Sequence, residues 1–226
     1  MSADRPRTAR TTIAALSGVA GAALFTAAWL AAGLWQGPGY RWTRDDISEM
    51  GAVTAPHAWL FLVPQAVAGL LTIGFALFAL RPVLRPAGTV GIVAAWSAAG
   101  SAVQDLSDAA FRLDCRAADG CTAAQTTASG HGQWHAAFGL VCLLLLIGAL
   151  FLTARAYRRL PAWAGWAAPT RWTGLLVVLG LLGVALPVTG PVHGLLQRGV
   201  ALVSAVWGAA VAWRVHVLSR RNERPA

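Results

Sequence analysis

The chain has 226 residues, of which 57% are hydrophobic and only 12% charged. A soluble globular domain carries charge on about 25% of its residues, so this composition excludes that class and predicts an integral membrane protein. The net charge of +9 comes from arginine alone. The arginines stand at the ends of apolar segments and form no continuous stripe, which excludes nucleic acid as a partner and favours membrane lipids with anionic headgroups.

Six apolar runs predict an all-α, polytopic membrane protein with a bundle of six transmembrane helices. In chain order they cover residues 12–35, 58–80, 88–111, 134–157, 172–188 and 195–218. Each run can cross about 30 Å of hydrocarbon at a rise of roughly 1.5 Å per residue. Helices are expected because lipid offers no hydrogen-bond partners to an open strand. Residues 12–218 are therefore predicted to be one transmembrane domain, between tails at 1–11 and 219–226.

The distribution of charge predicts the orientation of the bundle. Thirteen of the eighteen arginines fall on the side of the two termini, whereas seven of the nine carboxylates fall on the other side. By the positive-inside rule the arginine-rich side is cytoplasmic, so both termini are predicted in the cytoplasm and the long loops outside it. The exclusive use of arginine in a chain rich in alanine, glycine and tryptophan indicates a bacterial genome of high GC content. The predicted location is a bacterial cytoplasmic membrane.

Two connections on the predicted outer side, 36–57 and 112–133, are longer than a turn requires, and long ordered loops commonly carry function. The second contains Cys115 and Cys121. On an oxidising side these two cysteines predict a disulfide. A metal-binding pair is the alternative, although the spacing lacks the close C-x-x-C form.

Span three carries a polar face near its outer end. Ser101, Asp105 and Asp108 are spaced i, i+4 and i+7, so they share one side of a helix. Carboxylates inside a membrane are costly and usually face the bundle interior at a functional site, which makes Asp105 and Asp108 candidate catalytic residues. The alternative is that the span ends earlier and both aspartates lie in water.

Histidines form a second candidate group. His131 and His135 are spaced i, i+4 at the start of span four, a common arrangement for two metal ligands on one helix. Together with His57 and His193 they form a candidate metal set, with zinc as the first choice and haem as a less favoured one. The alternative is that these interfacial histidines only donate hydrogen bonds.

The remaining candidates lie in the first long loop and at the start of span six. Ser48 and Glu49 are predicted to act beside the aspartates as catalytic residues, and Arg198, Gln197 and Tyr40 to bind substrate. An arginine at the outer end of a span either binds an anionic group, pairs with a carboxylate or extends to the surface.

Three short motifs resemble a known family. They are Gly37–Tyr40, the run Ile47–Gly51 with its flanking residues, and Gly194–Arg198. With the polar start of span four, they resemble the bacterial integral-membrane family catalogued as domain of unknown function 998. The likeness extends from the first span to the sixth, and Ile47–Gly51 is its most specific element. The resemblance implies a six-helix membrane fold and supplies no activity.

A more distant resemblance, in residue types alone, is to the membrane hydrolases that include alkaline ceramidases and adiponectin-receptor-like proteins. Those enzymes assemble serine, histidine and aspartate with an H-x-x-x-H pair around zinc. The inventory of Ser48, His57, Asp105, His131 and His135 is similar. This chain departs from the pattern because it has six predicted spans instead of seven and carries the histidine pair on the fourth.

Two main hypotheses about function follow from the polar residues gathered at one side. The first is a membrane-embedded enzyme that acts on a lipid or isoprenoid-like amphiphile by metal-assisted or acid/base chemistry. The second is a non-enzymatic accessory or binding protein whose polar cluster is structural. A haem-binding bundle is a third possibility. The sequence alone does not decide whether the protein is an enzyme.

Overall fold

The computed structural model describes residues 5–221, with residues 5–10 as backbone only. The α-helices are α1 (Arg5–Ala32), α2 (Trp59–Phe75), α3 (Arg81–Leu84), α4 (Thr89–Ser101), α5 (Val103–Ala110), α6 (Ala123–Thr126), α7 (Gly130–Tyr157), α8 (Ala167–Ala185) and α9 (His193–Arg221). Short 3₁₀ helices lie at Gly33–Trp35, Ser48–Gly51, Arg85–Ala87, Ala117–Asp119, Pro161–Trp166 and Pro187–Val192, and α2 continues into a π-helical turn at Ala76–Leu80. No strand occurs in the described part, so the all-α prediction is confirmed.

Within residues 5–221, five helical segments are long and apolar enough to cross a membrane, as expected of a multi-pass membrane protein. They are Thr11–Trp35, Trp59–Ala87, Gly130–Tyr157, Pro161–Ala185 and Pro187–Arg221. The predicted tails at 1–11 and 219–226 are only partly covered, since residues 1–4 and 222–226 lie outside the described range.

The segment predicted as the third span, 88–111, is not one continuous helix, and it is not among the five segments above. The helix breaks at Ala102, next to Ser101, whose hydroxyl donates to the Ala98 carbonyl at 2.9 Å. Such side-chain bonds compete with helical backbone bonding. The break packs against Gly69 of α2, where an added Cβ would lie 2.9 Å from the Ala102 oxygen and 2.8 Å from Asp105 Cβ. Gly69 thus permits a close approach that holds Asp105 near the bundle axis.

The helices close into a ring. Going round it, α1 packs on α2, α2 on α5, α4 on α7, α7 on α8, α8 on α9, and α9 on α1. One end of the ring carries the connections 36–58, 111–129 and 186–192, and we call it the loop end. The opposite end carries the connections 81–88 and 158–166, and we call it the arginine end.

Two apolar clusters fill the two ends of the ring. The cluster at the arginine end includes Leu80, Leu84, Tyr157, Trp163 and Val211. The cluster at the loop end includes Trp29, Ile47, Met50, Phe61 and Leu62. Burial of these side chains fixes the helices at both ends, which leaves the middle of the ring open for a cavity.

Candidate functional site

A cavity of about 390 Å³ lies at the centre of the ring. Its walls come from α1, α2, α4, α5, α7, α8 and α9, and from Ile47 and Ser48 in the first long loop. Its volume is in the range of small-molecule sites, roughly 300–1,000 Å³. The wall is mostly apolar, with polar side chains gathered towards the loop end. This distribution suits a ligand that has one polar and one apolar part.

The apolar part of the cavity extends towards the arginine end. Its lining there includes Phe75, Ala76, Leu80, Ala149 and Trp207. The π-helical turn of α2 supplies two of these residues, Ala76 and Leu80. Such turns widen a helix locally and are frequent at functional sites.

Asp108 is the centre of the polar part. Its Oδ2 accepts a hydrogen bond from Gln65 Nε2 at 3.0 Å, and its Oδ1 accepts one from Gln104 Nε2. His135 Nδ1 lies 3.3 Å from the same Oδ1. These contacts join three helices, α2, α5 and α7, and they use both oxygens of the carboxylate. Asp108 therefore organises the polar end of the cavity.

Asp105 is held far less completely, although it lies on the same face of α5. Among the described residues only Gln65 donates to it, at 3.3 Å. The side-chain oxygens of Gln65 and Gln104 are buried and also have no partner in the described part of the chain. Asp105 therefore has acceptor capacity left for a ligand.

His131 and His135 join the start of α7 to the end of α5. The Nδ1 of His131 lies 3.3 Å from the Ala110 carbonyl oxygen, and that of His135 lies 3.0 Å from the Phe111 oxygen. The last carbonyls of a helix have no intrahelical donor, so each imidazole supplies a donor to one carbonyl. Only His135 also lines the cavity.

The predicted metal set does not come together. His193 Nε2 lies 2.9 Å from Asp46 Oδ1, and His57 is an exposed loop residue with a φ of 51°. Within residues 5–221, no group of three or more histidine, cysteine, aspartate or glutamate side chains is placed to hold a metal ion. The prediction of zinc or haem on His57, His131, His135 and His193 therefore has no support in this arrangement.

Arg198 ties the first long loop to the start of α9. Its buried guanidinium donates from Nη1 to the carbonyl oxygens of Trp42 at 2.8 Å, Asp45 at 2.8 Å and Gly194 at 2.9 Å. It donates from Nη2 to the Tyr40 hydroxyl and lies 4.8 Å from the centre of the Trp42 ring. Arg198 and Tyr40 do not line the cavity. In the structure both residues hold the loop, and their contact with substrate stays a prediction.

The first turn of α9 also receives the loop. The Gly194 N–H donates to the Arg44 carbonyl at 3.1 Å, and Gln197 Oε1 accepts from the Ile47 N–H at 2.6 Å. The first N–H groups of a helix have no intrahelical partner, and the loop satisfies two of them, because the Leu195 N–H also donates to the Thr43 carbonyl at 3.0 Å. Gln197 lines the cavity as well.

The second long loop packs on the first. Arg112 donates to the Gly51 oxygen at 2.8 Å and to the Ala52 oxygen at 2.6 Å, and Arg116 donates to the Gln36 oxygen at 3.0 Å. We call the two connections 36–58 and 111–129 together the lid. Because Ile47 and Ser48 line the cavity, the lid forms its roof.

The second half of the lid contains a disulfide, as predicted. Cys115 is joined to Cys121 across the short turn Ala117–Asp119. The Cys115–Cys121 link within the lid limits how far this segment can open.

Cys142 is a buried free thiol of α7, and it lines the cavity and donates to the Gly100 oxygen at 3.5 Å.

Glu49 lies at the junction of the two lid segments and does not line the cavity. Burial raises its pKa to about 7, the charges of Asp45 and Asp46 add to the rise, and backbone hydrogen bonds from Ala117 and Ala118 oppose it. Glu49 therefore lies where its charge can respond to pH within the lid, and its catalytic role stays a prediction.

The Glu49→Gln variant is expected to lose part of the pH dependence of stability. The folded-state pKa of Glu49 is about 7 and its ordinary value is 4.5, so the wild type loses stability as pH rises from about 4.5 to 7 and then levels off. After allowance for screening the loss is about 1–2 kcal/mol. Melting temperatures of the purified protein at pH 5 and pH 8 measure it. Equal pH dependence in variant and wild type would contradict the assignment.

Five of the predicted site residues line the cavity together: Ser48, Asp105, Asp108, His135 and Gln197. Glu49, Tyr40 and Arg198 lie in or under the lid, and His57, His131 and His193 lie at other junctions of the loop end. Gln65 was not predicted, although it contacts both aspartates. Its signal in the sequence was an amide inside the otherwise apolar run 58–80.

A family model described as "Protein of unknown function (DUF998)" matches residues 19–214. The chain belongs to this family. The DUF998 match takes in the lid and every cavity-lining residue except Gly18, and it confirms the resemblance drawn from the motifs of the lid and α9. Comparisons with curated proteins and with solved structures gave no match. The DUF998 description states no activity, so a function must be argued from the geometry.

Proposed function

We propose that this membrane protein binds an amphiphile in its central cavity. The polar head lies against Asp105, Asp108 and His135, and the apolar tail extends past Phe75 and Trp207. The observation that carries the proposal is the two-part wall, in which polar side chains occupy one end of a cavity lined by helices from the whole ring. Carboxylates inside a membrane bundle are costly and mark functional sites, which supports a role for them in recognising the head.

The proposal includes an orientation. The chain crosses a bacterial cytoplasmic membrane six times, with α4 and α5 as a broken third crossing, and both termini are cytoplasmic. The arginine end carries nine arginines among the described side chains: Arg81, Arg85, Arg155, Arg158, Arg159, Arg171, Arg214, Arg220 and Arg221. Such a bias favours the cytoplasmic side. The disulfide in the lid suits the opposite, oxidising side.

A matched pair of glycine variants tests binding in the cavity. Gly139 lines the cavity, whereas Gly199 is exposed on the outer face of α9 with no neighbour within 4 Å of an added Cβ. The probe is a long-chain alcohol with a photoactivatable diazirine in its chain, added to protein in phosphatidylcholine nanodiscs. We expect Gly139→Leu to reduce probe labelling of cavity residues at least about tenfold, because leucine fills the space, and Gly199→Leu to leave it unchanged.

Mass spectrometry of peptides locates the label. Labelling confined to lipid-facing residues in the wild type would contradict the proposal. The same would follow if both leucine variants retained wild-type labelling of the cavity.

Acid/base chemistry on the bound amphiphile is a second candidate function. His135 Nδ1 lies near two acceptors, Phe111 O at 3.0 Å and Asp108 Oδ1 at 3.3 Å. This favours the proton on Nδ1 and leaves Nε2 as a basic nitrogen. An ester of the same chain tests this function, since water activated at Nε2 would add to the acyl carbon as the ester C–O bond breaks and the alcohol takes up a proton: release of acid and alcohol by wild type that is absent with His135→Gln supports it, and an intact ester after prolonged incubation counts against it.

A further inference from the structure

We infer that the head recognised by the cavity is a protonated amine. This inference rests on the proposed function, since it names the class of amphiphile that the same site takes. It follows from which polar atoms around Asp105 are already hydrogen-bonded, and from the charges at the loop end.

The polar end of the cavity offers acceptors. Asp105 lines the cavity and accepts only one hydrogen bond, of 3.3 Å, within the described residues. Gln65 is 3% exposed and lines the same wall, and its Oε1 has no partner among the described residues. Gln104 also lines this wall, and its Oε1 likewise has no partner among those residues. Buried acceptors without donors are costly, so a ligand that brings N–H groups removes this cost.

The donors beside the two aspartates are already used, and the cavity-lining donors without a partner among the described residues, the Ser48 hydroxyl and the Gln197 amide, belong to the lid and to α9. The Nε2 groups of Gln65 and Gln104 donate to Asp108, and His135 Nδ1 faces Asp108 and a backbone carbonyl. The hydroxyl of Ser101 donates to the Ala98 carbonyl at 2.9 Å. A carboxylate or phosphate head, which needs donors, would find few here.

The charges at the loop end lead to the same conclusion. Two carboxylates line the cavity, and among the described residues His135 is the one cavity-lining side chain that can become positive. The nearby arginines bind lid carbonyls instead: Arg198 holds the first lid segment, and Arg112 and Arg116 join the second to it. In a region of low dielectric constant this imbalance attracts a cation and repels an anion.

Three photoactivatable probes test the inference. They share one diazirine-bearing alkyl chain and differ only in the head, which is an amine, an alcohol or a carboxylate. Each is added at equal concentration to wild-type protein in phosphatidylcholine nanodiscs, and labelling of cavity residues is divided by labelling of lipid-facing residues. We expect the amine to exceed the carboxylate by at least about tenfold, the factor typical of one charge-assisted hydrogen bond, with the alcohol between them.

Asp105→Asn is the decisive variant, because it removes the charge and keeps the shape. We expect it to bring the amine and carboxylate probes to within about twofold of each other. Asp114→Asn is the matched control, since Asp114 lies in the lid and its carboxylate bonds Ser129 away from the cavity. It should keep the wild-type ratio. Asp105→Glu, which retains the charge, should also prefer the amine.

Failure of the inference is distinguishable from failure of the proposed function. Equal cavity labelling by amine and carboxylate probes, blocked by Gly139→Leu in both cases, would overturn the inference and leave amphiphile binding intact. An amine preference that survives in folded Asp105→Asn would also overturn it. If no probe labels the cavity, both proposals fall. The wild-type ratio decides the inference even if Asp105→Asn does not fold.

Discussion

Replacing Arg198 by alanine is expected to destabilise the protein by about 3–5 kcal/mol, because several buried acceptors lose their donor at about 1–3 kcal/mol each. Arg198 is 4% exposed, and its guanidinium donates to three carbonyl oxygens and the Tyr40 hydroxyl. Alanine would leave all four acceptors without this donor at a buried site. The loss should release the first lid segment from α9, because Trp42 and Asp45 belong to that segment.

Thermal unfolding of the purified protein and hydrogen exchange of residues 40–47 measure this effect. Arg171→Ala is the control: Arg171 is exposed, and its described contact is with the ring of Trp172 at 5.9 Å. We expect Arg198→Lys to fall between alanine and wild type, since an ammonium keeps the charge without the planar array of donors. Arg198→Ala with the wild-type melting temperature and wild-type exchange would refute the assignment.

The polar face of α5 shows how far local spacing can predict a site. Ser101, Asp105 and Asp108 were predicted to face the bundle interior from their i, i+4, i+7 pattern, and all three line the cavity. That prediction needs only helical geometry and the cost of a carboxylate in lipid. It succeeds although the helix breaks at Ala102, because Asp105 and Asp108 lie on the same side of the break.

Long-range partners could not be predicted in the same way. Gln65 reaches Asp105 and Asp108 across 40 and 43 residues of sequence, and Arg198 reaches Asp45 across 153. Which residue meets which depends on the order of helices around the ring. The break at Ala102 likewise depends on its packing against Gly69, a contact that no local pattern contains.

The histidines show a different limit of sequence reasoning. The i, i+4 spacing of His131 and His135 does place both side chains on one side of α7, as predicted. The structure then presents helix-terminal carbonyls to them instead of a third ligand. Spacing determines where a side chain can point, whereas its partner is determined by the neighbouring helix.

The cavity and the lid form one structural unit, because the residues that close the roof also complete the wall. Ile47 packs in the loop-end cluster, bonds Gln197 through its N–H and lines the cavity. A ligand head at Asp105 therefore lies beneath a segment whose position depends on α9. Weakening the contact between the lid and α9 should change access to the cavity without altering the aspartates.

Gly194→Ala is the substitution that separates the lid from α9 with the smallest chemical change. An added Cβ would lie 2.4 Å from the Asp45 carbonyl oxygen and 2.8 Å from Arg198 Nη1. The backbone of the lid must then move, which we expect to cost about 2–3 kcal/mol and to increase hydrogen exchange of residues 40–47. Gly199→Ala is the matched control on the same helix, because its Cβ meets no neighbour within 4 Å.

The rate at which the amine probe labels the cavity then tests whether this movement of the lid changes access for a ligand. If the lid covers the head, Gly194→Ala should accelerate labelling of the cavity by the amine probe, whereas Gly199→Ala should leave the rate unchanged. The preference for amine over carboxylate should persist, because Asp105 and Asp108 are untouched. Faster exchange of the lid with an unchanged labelling rate would show that the amphiphile enters between helices instead of beneath the lid. Unchanged exchange and an unchanged melting temperature would refute the contact itself.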